Sequence, residues 1–96
     1  MIKEKVFSLL RKIPEGKVTT YKALALKCKT SPRAIGKILN SNKDHERIPC
    51  YKVVMSDGKL GGYSGGMKKK ISLLIRDGIK VKNNSVDKKH FYLKVL

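Results

Sequence analysis

The chain has 96 residues, 41% of them hydrophobic, with 23 Lys and Arg against seven Asp and Glu and a formal net charge of +16. That length allows one modest core, and the apolar content is too high for a disordered tail. So strong a positive field selects polyanionic partners, nucleic acid first and anionic membrane second. The plain alternative is a solvated, Lys-rich surface. No apolar run approaches the roughly 20 residues that cross a bilayer. The opening MIKEKVFSLLRKIPEGK lacks the apolar stretch and small-residue cleavage site of a secretory signal. Cys28 and Cys50 form no CxxC pair, so neither a disulfide framework nor a metal site is expected. Reduced thiols in an intracellular protein, cytoplasmic or at the nucleoid, fit this usage.

The spacing of Ile2, Val6, Leu9, Leu10 and Ile13 predicts an amphipathic helix over 2–13, stopped by Pro14 and Gly16. Thr20 is a capping residue for a second helix, from Tyr21 to about Cys28. Tyr21, Leu24, Ala25 and Cys28 share one face of it, which makes Cys28 a small core residue. Ser31-Pro32 is a strong start for a third helix, running to about Asn40. Ile35, Ile38 and Leu39 form its core face, while Arg33, Gly36, Lys37 and Asn40 form an opposite, basic face. Two short helices with so tight a connection over about 20–40 predict a helix-turn-helix.

Residues 41–49, SNKDHERIP, read as a polar loop. KVVMSDGKLGGY reads as a hairpin turning at Asp57-Gly58, in the position of the wing of a winged helix. Gly61, Gly62, Gly65 and Gly66 flank Tyr63-Ser64 without the Lys-Ser or Lys-Thr of a Walker loop, which excludes that kind of nucleotide site. A fourth helix is predicted over about Met67 to Asp77, ended by Gly78, with Met67, Ile71, Leu74 and Ile75 as its buried stripe. The tail has two apolar runs, Ile79 to Val81 and Phe91 to Leu96, joined by NNSVDKK and read as a small hairpin or an irregular strand pair. The fold class expected is mainly α with a small β hairpin, a winged helix-turn-helix-like single domain over 1–96.

The chemistry centres on Ile48-Pro49-Cys50-Tyr51-Lys52-Val53-Val54. This segment resembles the Ile-Pro-Cys-His-Arg-Val motif of the O6-alkylguanine-DNA alkyltransferases. Other segments agree in order and spacing. Ile13-Pro14-x-Gly16-Lys17-Val18-x-Thr20-Tyr21 is similar to the family's lead into its first helix-turn-helix helix, and Arg33-Ala34-Ile35-Gly36 to its Arg-Ala-Val-Gly recognition motif. Gly62-Tyr63-Ser64-Gly65-Gly66, Lys70, Leu73-Leu74 and Asp77-Gly78 match its C-terminal block. The resemblance covers roughly residues 6–78, the family's C-terminal DNA-binding and active-site domain. It departs at Tyr51, where the family has His, at Lys52, where it has Arg, and at Asp77, where its acidic residue is Glu.

The resemblance implies a protein that binds double-stranded DNA in the minor groove, flips an alkylated guanine out of the stack and transfers the alkyl group irreversibly to a cysteine thiolate. No cofactor, metal or membrane is implied, and a monomer is expected. Cys50 would be the acceptor, with Asn42, Tyr51 and Asp77 as its catalytic surroundings. Tyr51, a poor base as a phenol, would hydrogen-bond to Asp77 and orient water, and His45 is a candidate to substitute as base. Tyr21, Val53, Tyr63 and Ser64 would bind the flipped base. Arg33 would fill the gap in the stack, with Ala34, Gly36, Lys37, Asn40 and Lys52 also on the DNA side. Two other readings stay open. One is a non-catalytic alkyltransferase-like protein that recognises the lesion and signals to another repair pathway. The other is a winged-helix DNA binder with no role in damage.

Overall fold

A computed structural model describes residues 2–44, 47–63 and 65–93. Helix α1 spans Ile2–Arg11, with Glu4 in its first turn and Arg11 in its last, a charge order that suits the helix dipole. Val6, Leu9 and Leu10 are its buried face. It is two residues shorter than its apolar spacing predicts. Ile13 precedes a proline and so disfavours the α conformation. The Lys12 and Ile13 N–H groups instead bond to the Leu9 and Leu10 carbonyls in a tightened turn.

Strand β1, Thr19–Thr20, leads directly into α2, Tyr21–Cys28. The Thr20 hydroxyl accepts from the Ala23 N–H at 3.0 Å, the expected cap. The helix closes at Lys29, which takes a left-handed conformation (φ 56°), and the Thr30 N–H returns to the Ala25 carbonyl at 2.9 Å. Helix α3, Pro32–Asn40, begins at once, with the Ser31 hydroxyl accepting from the Ala34 N–H at 3.1 Å and Pro32 in the first turn. The helix-turn-helix is thus built from two local caps and one left-handed residue.

The segment after Cys50 departs from the expected hairpin. A single 3-10 turn, Cys50–Lys52, enters strand β2, Val53–Val54, which pairs in parallel with β1 (Thr19 opposite Val53, Thr20 opposite Val54). The turn at Asp57-Gly58 does form, since the Gly58 N–H bonds to the Met55 carbonyl at 2.9 Å and the Met55 N–H to the Lys59 carbonyl at 2.8 Å. The strand before it, however, is spent on β1. Val53 and Val54 are both fully buried. A strand covered on both faces suits a central parallel pair rather than a solvated wing.

Helix α4 spans Met67–Arg76. Its buried residues are Lys70 and Leu74, whereas Met67 and Ile75, expected inside, are 40% and 57% exposed. The helix is rotated so that a lysine, not a methionine, faces the core. The tail also folds differently from the expected pairing of its two apolar runs. Strands β3, Val81–Lys82, and β4, Ser85–Val86, form an antiparallel hairpin in which the end of the first apolar run pairs with the stretch read as a connection. Asn83 and Asn84 both have positive φ at its turn, as a type I′ turn requires. The hairpin is pinned to the earlier turn: the Leu60 N–H bonds to the Asn84 carbonyl and the Val86 N–H to the Gly58 carbonyl. A Cβ on Gly58 would lie 2.6 Å from that Val86 carbonyl oxygen, so glycine is required there. Phe91 then bridges in parallel to Val18.

Two hydrophobic clusters result. The first joins α1, α2 and α3 with Ile48, Cys50 and Val53, and half-buried Cys28 packs against it. The second holds Val18, Val54, Leu60, Leu74, Ile79 and Val86. Val53 and Val54 point to opposite clusters, so β2 is the partition between them. The observed architecture is the expected one, mainly helical with a helix-turn-helix and a small hairpin, although the hairpin lies at 81–86.

Candidate active site

Cys50 sits at the end of the polar loop, at the start of the 3-10 turn, and is 4% exposed. Asn42, itself buried, organises this corner. Its side-chain N–H2 donates to the Ile48 carbonyl at 3.2 Å and to Cys50 Sγ at 3.3 Å. Its Oδ1 accepts from the Asp44 N–H at 2.8 Å. One amide therefore ties the loop closed and gives the sulfur a donor. A donor favours thiolate over thiol.

The second influence on the sulfur comes from α4. Lys70 is completely buried. Its Nζ donates to the Val53 carbonyl at 2.8 Å, to the Gly62 carbonyl at 3.0 Å and to the Leu60 carbonyl. Three acceptors use all three protons of an ammonium. Burial pulls the Lys70 ammonium down to about 8, and a charge on Cys50 acts in the opposite direction. Burial likewise pushes the Cys50 thiol up, while the Asn42 amide, a backbone hydrogen bond and the Lys70 charge pull it back. In the sequence Lys70 stands out only as a match to the family's C-terminal block. Lys68-Lys69-Lys70 reads as a solvated run, and the one contrary signal is helical phase, because Lys70 lies four residues before Leu74 on the core face.

Cys50 borders a cleft of about 220 Å³ whose walls include Tyr21, Gly36, Leu39, Asn40 and Tyr63. Burial raises the Tyr21 and Tyr63 phenols, and a charge on Cys50 raises them further. Both rings therefore sit within the electrostatic reach of the sulfur. The Tyr21 hydroxyl donates to the Gly62 carbonyl at 3.4 Å. Gly61 has φ +70°, and a Cβ there would come within 3.1 Å of the Tyr21 ring. Beside this cleft lies a larger, more open one of about 730 Å³, which shares Tyr21 and Gly62 with it and adds Arg33, Leu26, Met55 and Ser56. Leu26 is 72% exposed there.

Of the residues singled out from sequence, the structure thus brings Cys50, Asn42, Tyr21, Tyr63, Gly36 and Asn40 to one place, with Arg33 at its edge. Lys37 is exposed on α3, and Ala34 is half-buried at the start of that helix. Val53 contributes through its carbonyl, which is already taken by Lys70. His45 and Ser64 lie outside the described residues.

Two expectations are corrected. Lys52, expected to reach DNA, is buried: it is 5% exposed and its Nζ lies 3.0 Å from Asp77 Oδ2. It also donates to the Pro14 carbonyl at 2.9 Å and to the Ile13 carbonyl at 3.4 Å. A cation reaching inward with a carboxylate and two carbonyls as partners joins α4 to the end of α1 and has no reason to face solvent. Nor does Asp77 serve Tyr51. Its Oδ2 faces Lys52 and also accepts from the Gly16 N–H at 3.4 Å. Burial and the negative charge of Asp77 push the Tyr51 phenol up to about 12, so it stays protonated near neutrality and is no base there.

The sequence matches the family model described as "6-O-methylguanine DNA methyltransferase, DNA binding domain" over residues 1–79. It is 52% identical over 88 residues to a bifunctional methyltransferase/endonuclease of Picrophilus torridus, covering 90% of this chain and 30% of that protein. The O6-methylguanine-DNA methyltransferase of Pyrococcus kodakaraensis superposes with a TM-score of 0.74 at 38% identity, over 80% of this chain and 46% of the other. Schizosaccharomyces pombe Atl1, solved with damaged DNA containing O6-carboxymethylguanine, superposes with a TM-score of 0.85 over 95% of this chain and 94% of its own, and at 19% identity it speaks for the fold. The chain spans about a third to a half of the length of the first two. It belongs to the 6-O-methylguanine DNA methyltransferase family, through that family's DNA-binding domain.

Proposed function

We propose that this chain binds double-stranded DNA from the minor-groove side, takes an O6-alkylated guanine into the cleft beside Cys50, and accepts its alkyl group. The observation that carries this reading is a buried thiol at the wall of a cleft, given a hydrogen bond by Asn42 and lying in the field of the buried Lys70 ammonium. A structural cysteine needs neither.

The base must leave the stack to reach a sulfur so deep in the protein. Arg33, exposed at the start of α3, is suited to enter the gap with a flat, permanently charged head. Ala34, Gly36, Lys37 and Asn40 follow on the same helix, where glycine and alanine allow close approach to the groove. Tyr21 and Tyr63 flank the base. The thiolate sulfur attacks the alkyl carbon, the carbon–oxygen bond breaks, and its electron pair stays on the guanine oxygen system. The guanine takes up one proton, matching the one lost by Cys50. The product is a thioether, so each molecule acts once.

The test is the intact mass of the protein after incubation with a duplex containing O6-methylguanine, with Cys50→Ser in parallel. One added methyl group, mapped to Cys50 and missing from the variant, is the expected result. Tight, lesion-selective binding without any mass increase replaces transfer by recognition alone. That second reading draws on Tyr51 and Asp77, which form no proton relay to the sulfur.

A further inference from the structure

The three clefts on the side of the Met55–Lys59 turn share lining residues from one to the next. The cleft of about 730 Å³ that holds Arg33 and Lys22 includes Met55 and Gly61. Met55 and Gly61 also line a cleft of about 400 Å³ together with Lys59, Asn83 and Ser85. Asn83 and Ser85 in turn line a cleft of about 370 Å³ edged by Lys80, Lys82 and Lys89. The surface therefore carries a row of neighbouring clefts from the helix-turn-helix across the turn to the tail hairpin. Its cationic residues are Lys22, Arg33, Lys59, Lys80, Lys82 and Lys89, against Asp57 and Asp87. Both carboxylates are already occupied by turn N–H groups, Asp57 by Lys59 and Asp87 by Lys89.

Lys80 and Lys82 are placed by strand geometry, and Lys89 lies in the 3-10 turn Lys88–His90 just after the hairpin. Lys80 and Lys82 flank the half-buried Val81, so the period of two aims both away from the core. The hairpin that carries them is held by the Leu60–Asn84 and Gly58–Val86 backbone bonds, and Lys59 bridges to Ser85. These charges are mounted on a fixed element beside the proposed DNA face. The family match ends at residue 79, just before them.

We propose that the tail hairpin is a second backbone-binding site, in which Lys80, Lys82 and Lys89 grip phosphates of the duplex flanking the lesion. This rests on the reading that α2 and α3 bind DNA. Duplex DNA presents one phosphate per about 3.4 Å on each strand. A second site beyond the helix-turn-helix then engages only DNA long enough to reach it.

The experiment measures affinity by fluorescence anisotropy over a range of salt, for hairpin duplexes with stems of about six and about fifteen base pairs. The proteins are the full chain and the triple variant Lys80→Gln, Lys82→Gln, Lys89→Gln, whose changed side chains are all exposed. On the longer stem the variant is expected to lose about tenfold in affinity, with a salt slope shallower by about 2 to 3. On the shorter stem it is expected to equal the unchanged protein. Equal slopes on the longer stem overturn the proposal, as does an equal loss on both stems, which reports only general charge. If the unchanged protein binds neither stem, the DNA reading itself has failed. If Arg33→Ala weakens both stems while the tail variant weakens neither, only the tail site has failed.

Discussion

Among the described residues two lysines are buried, Lys52 and Lys70, and they are treated in opposite ways. Lys52 meets a carboxylate, Asp77, at 3.0 Å and two carbonyls beyond α1. Lys70 meets three carbonyls and no carboxylate among its hydrogen-bond partners. The first charge is neutralised where it lies and joins two ends of the fold. The second keeps its field, and Cys50 lies within it. Burial alone thus does not mark a functional cation; what matters is whether the fold supplies a counter-charge or leaves that to the site.

Lys70→Met breaks the contrast most severely. It strips three buried carbonyls of their donor and removes a charge that favours the thiolate. We expect a stability loss of about 3 kcal/mol or more in urea unfolding. Cys50 alkylation by iodoacetamide near neutral pH should slow about tenfold, with its pH profile moved upward. The same lysine predicts a pH effect of definite sign. Its folded value is about 8 against 10.5 unfolded. Between those values the unfolded chain holds more protons, so this group makes stability rise with pH there. The raised Cys50 thiol works in the opposite direction as the unfolded thiol titrates around 9. Lys70 is therefore read from the difference between the two proteins: the part of the urea-midpoint change from about 8 to 9 that is lost in Lys70→Met. An unmoved alkylation profile would detach Lys70 from the sulfur.

Asp77→Asn sharpens the other side. It leaves Lys52 buried without its counter-charge, and the expected cost is about 3–5 kcal/mol. Cys50 reactivity in the folded protein should keep its pH profile, because the pair serves structure. A shifted profile would show that the pair and the sulfur are coupled.

The smallest effect belongs to Tyr51→Phe. A phenol pushed up to about 12 neither takes nor gives a proton near neutrality. Alkyl transfer measured by single-turnover mass analysis should change by no more than about twofold, roughly 0.4 kcal/mol in barrier. A loss of a hundredfold would restore Tyr51 to the chemistry.

Much of the helical frame is legible in the sequence because its signals are short-range. Thr20 and Ser31 each cap a helix through an N–H three residues away, and Pro32 follows in the position proline favours. Asn42 and Cys50, eight residues apart, are joined by a hydrogen bond; the resemblance had named both residues but not this contact. The strands are harder to read. Val53 and Val54 look like one arm of a hairpin, yet they take a parallel partner more than thirty positions earlier. In the tail, NN was the better turn signal than the apolar runs on either side of it.

The sequence by itself determined the helices, their caps and the left-right balance of apolar faces on α1 to α3, while Cys50 was singled out by the resemblance of its motif to the family's. The helical features are written in spacings of a few residues, where capping and side-chain periodicity act. Only the tertiary structure decided which lysines are buried and what they meet. Lys52 finds the Pro14 carbonyl 38 positions away, Gly16 finds Asp77 across 61, and Lys70 gathers carbonyls from both sides of the glycine-containing turn. The partners in such contacts are not marked by local periodicity, because they are selected by the cost of leaving a buried charge unpaired, in a space that exists only once the chain has closed around it.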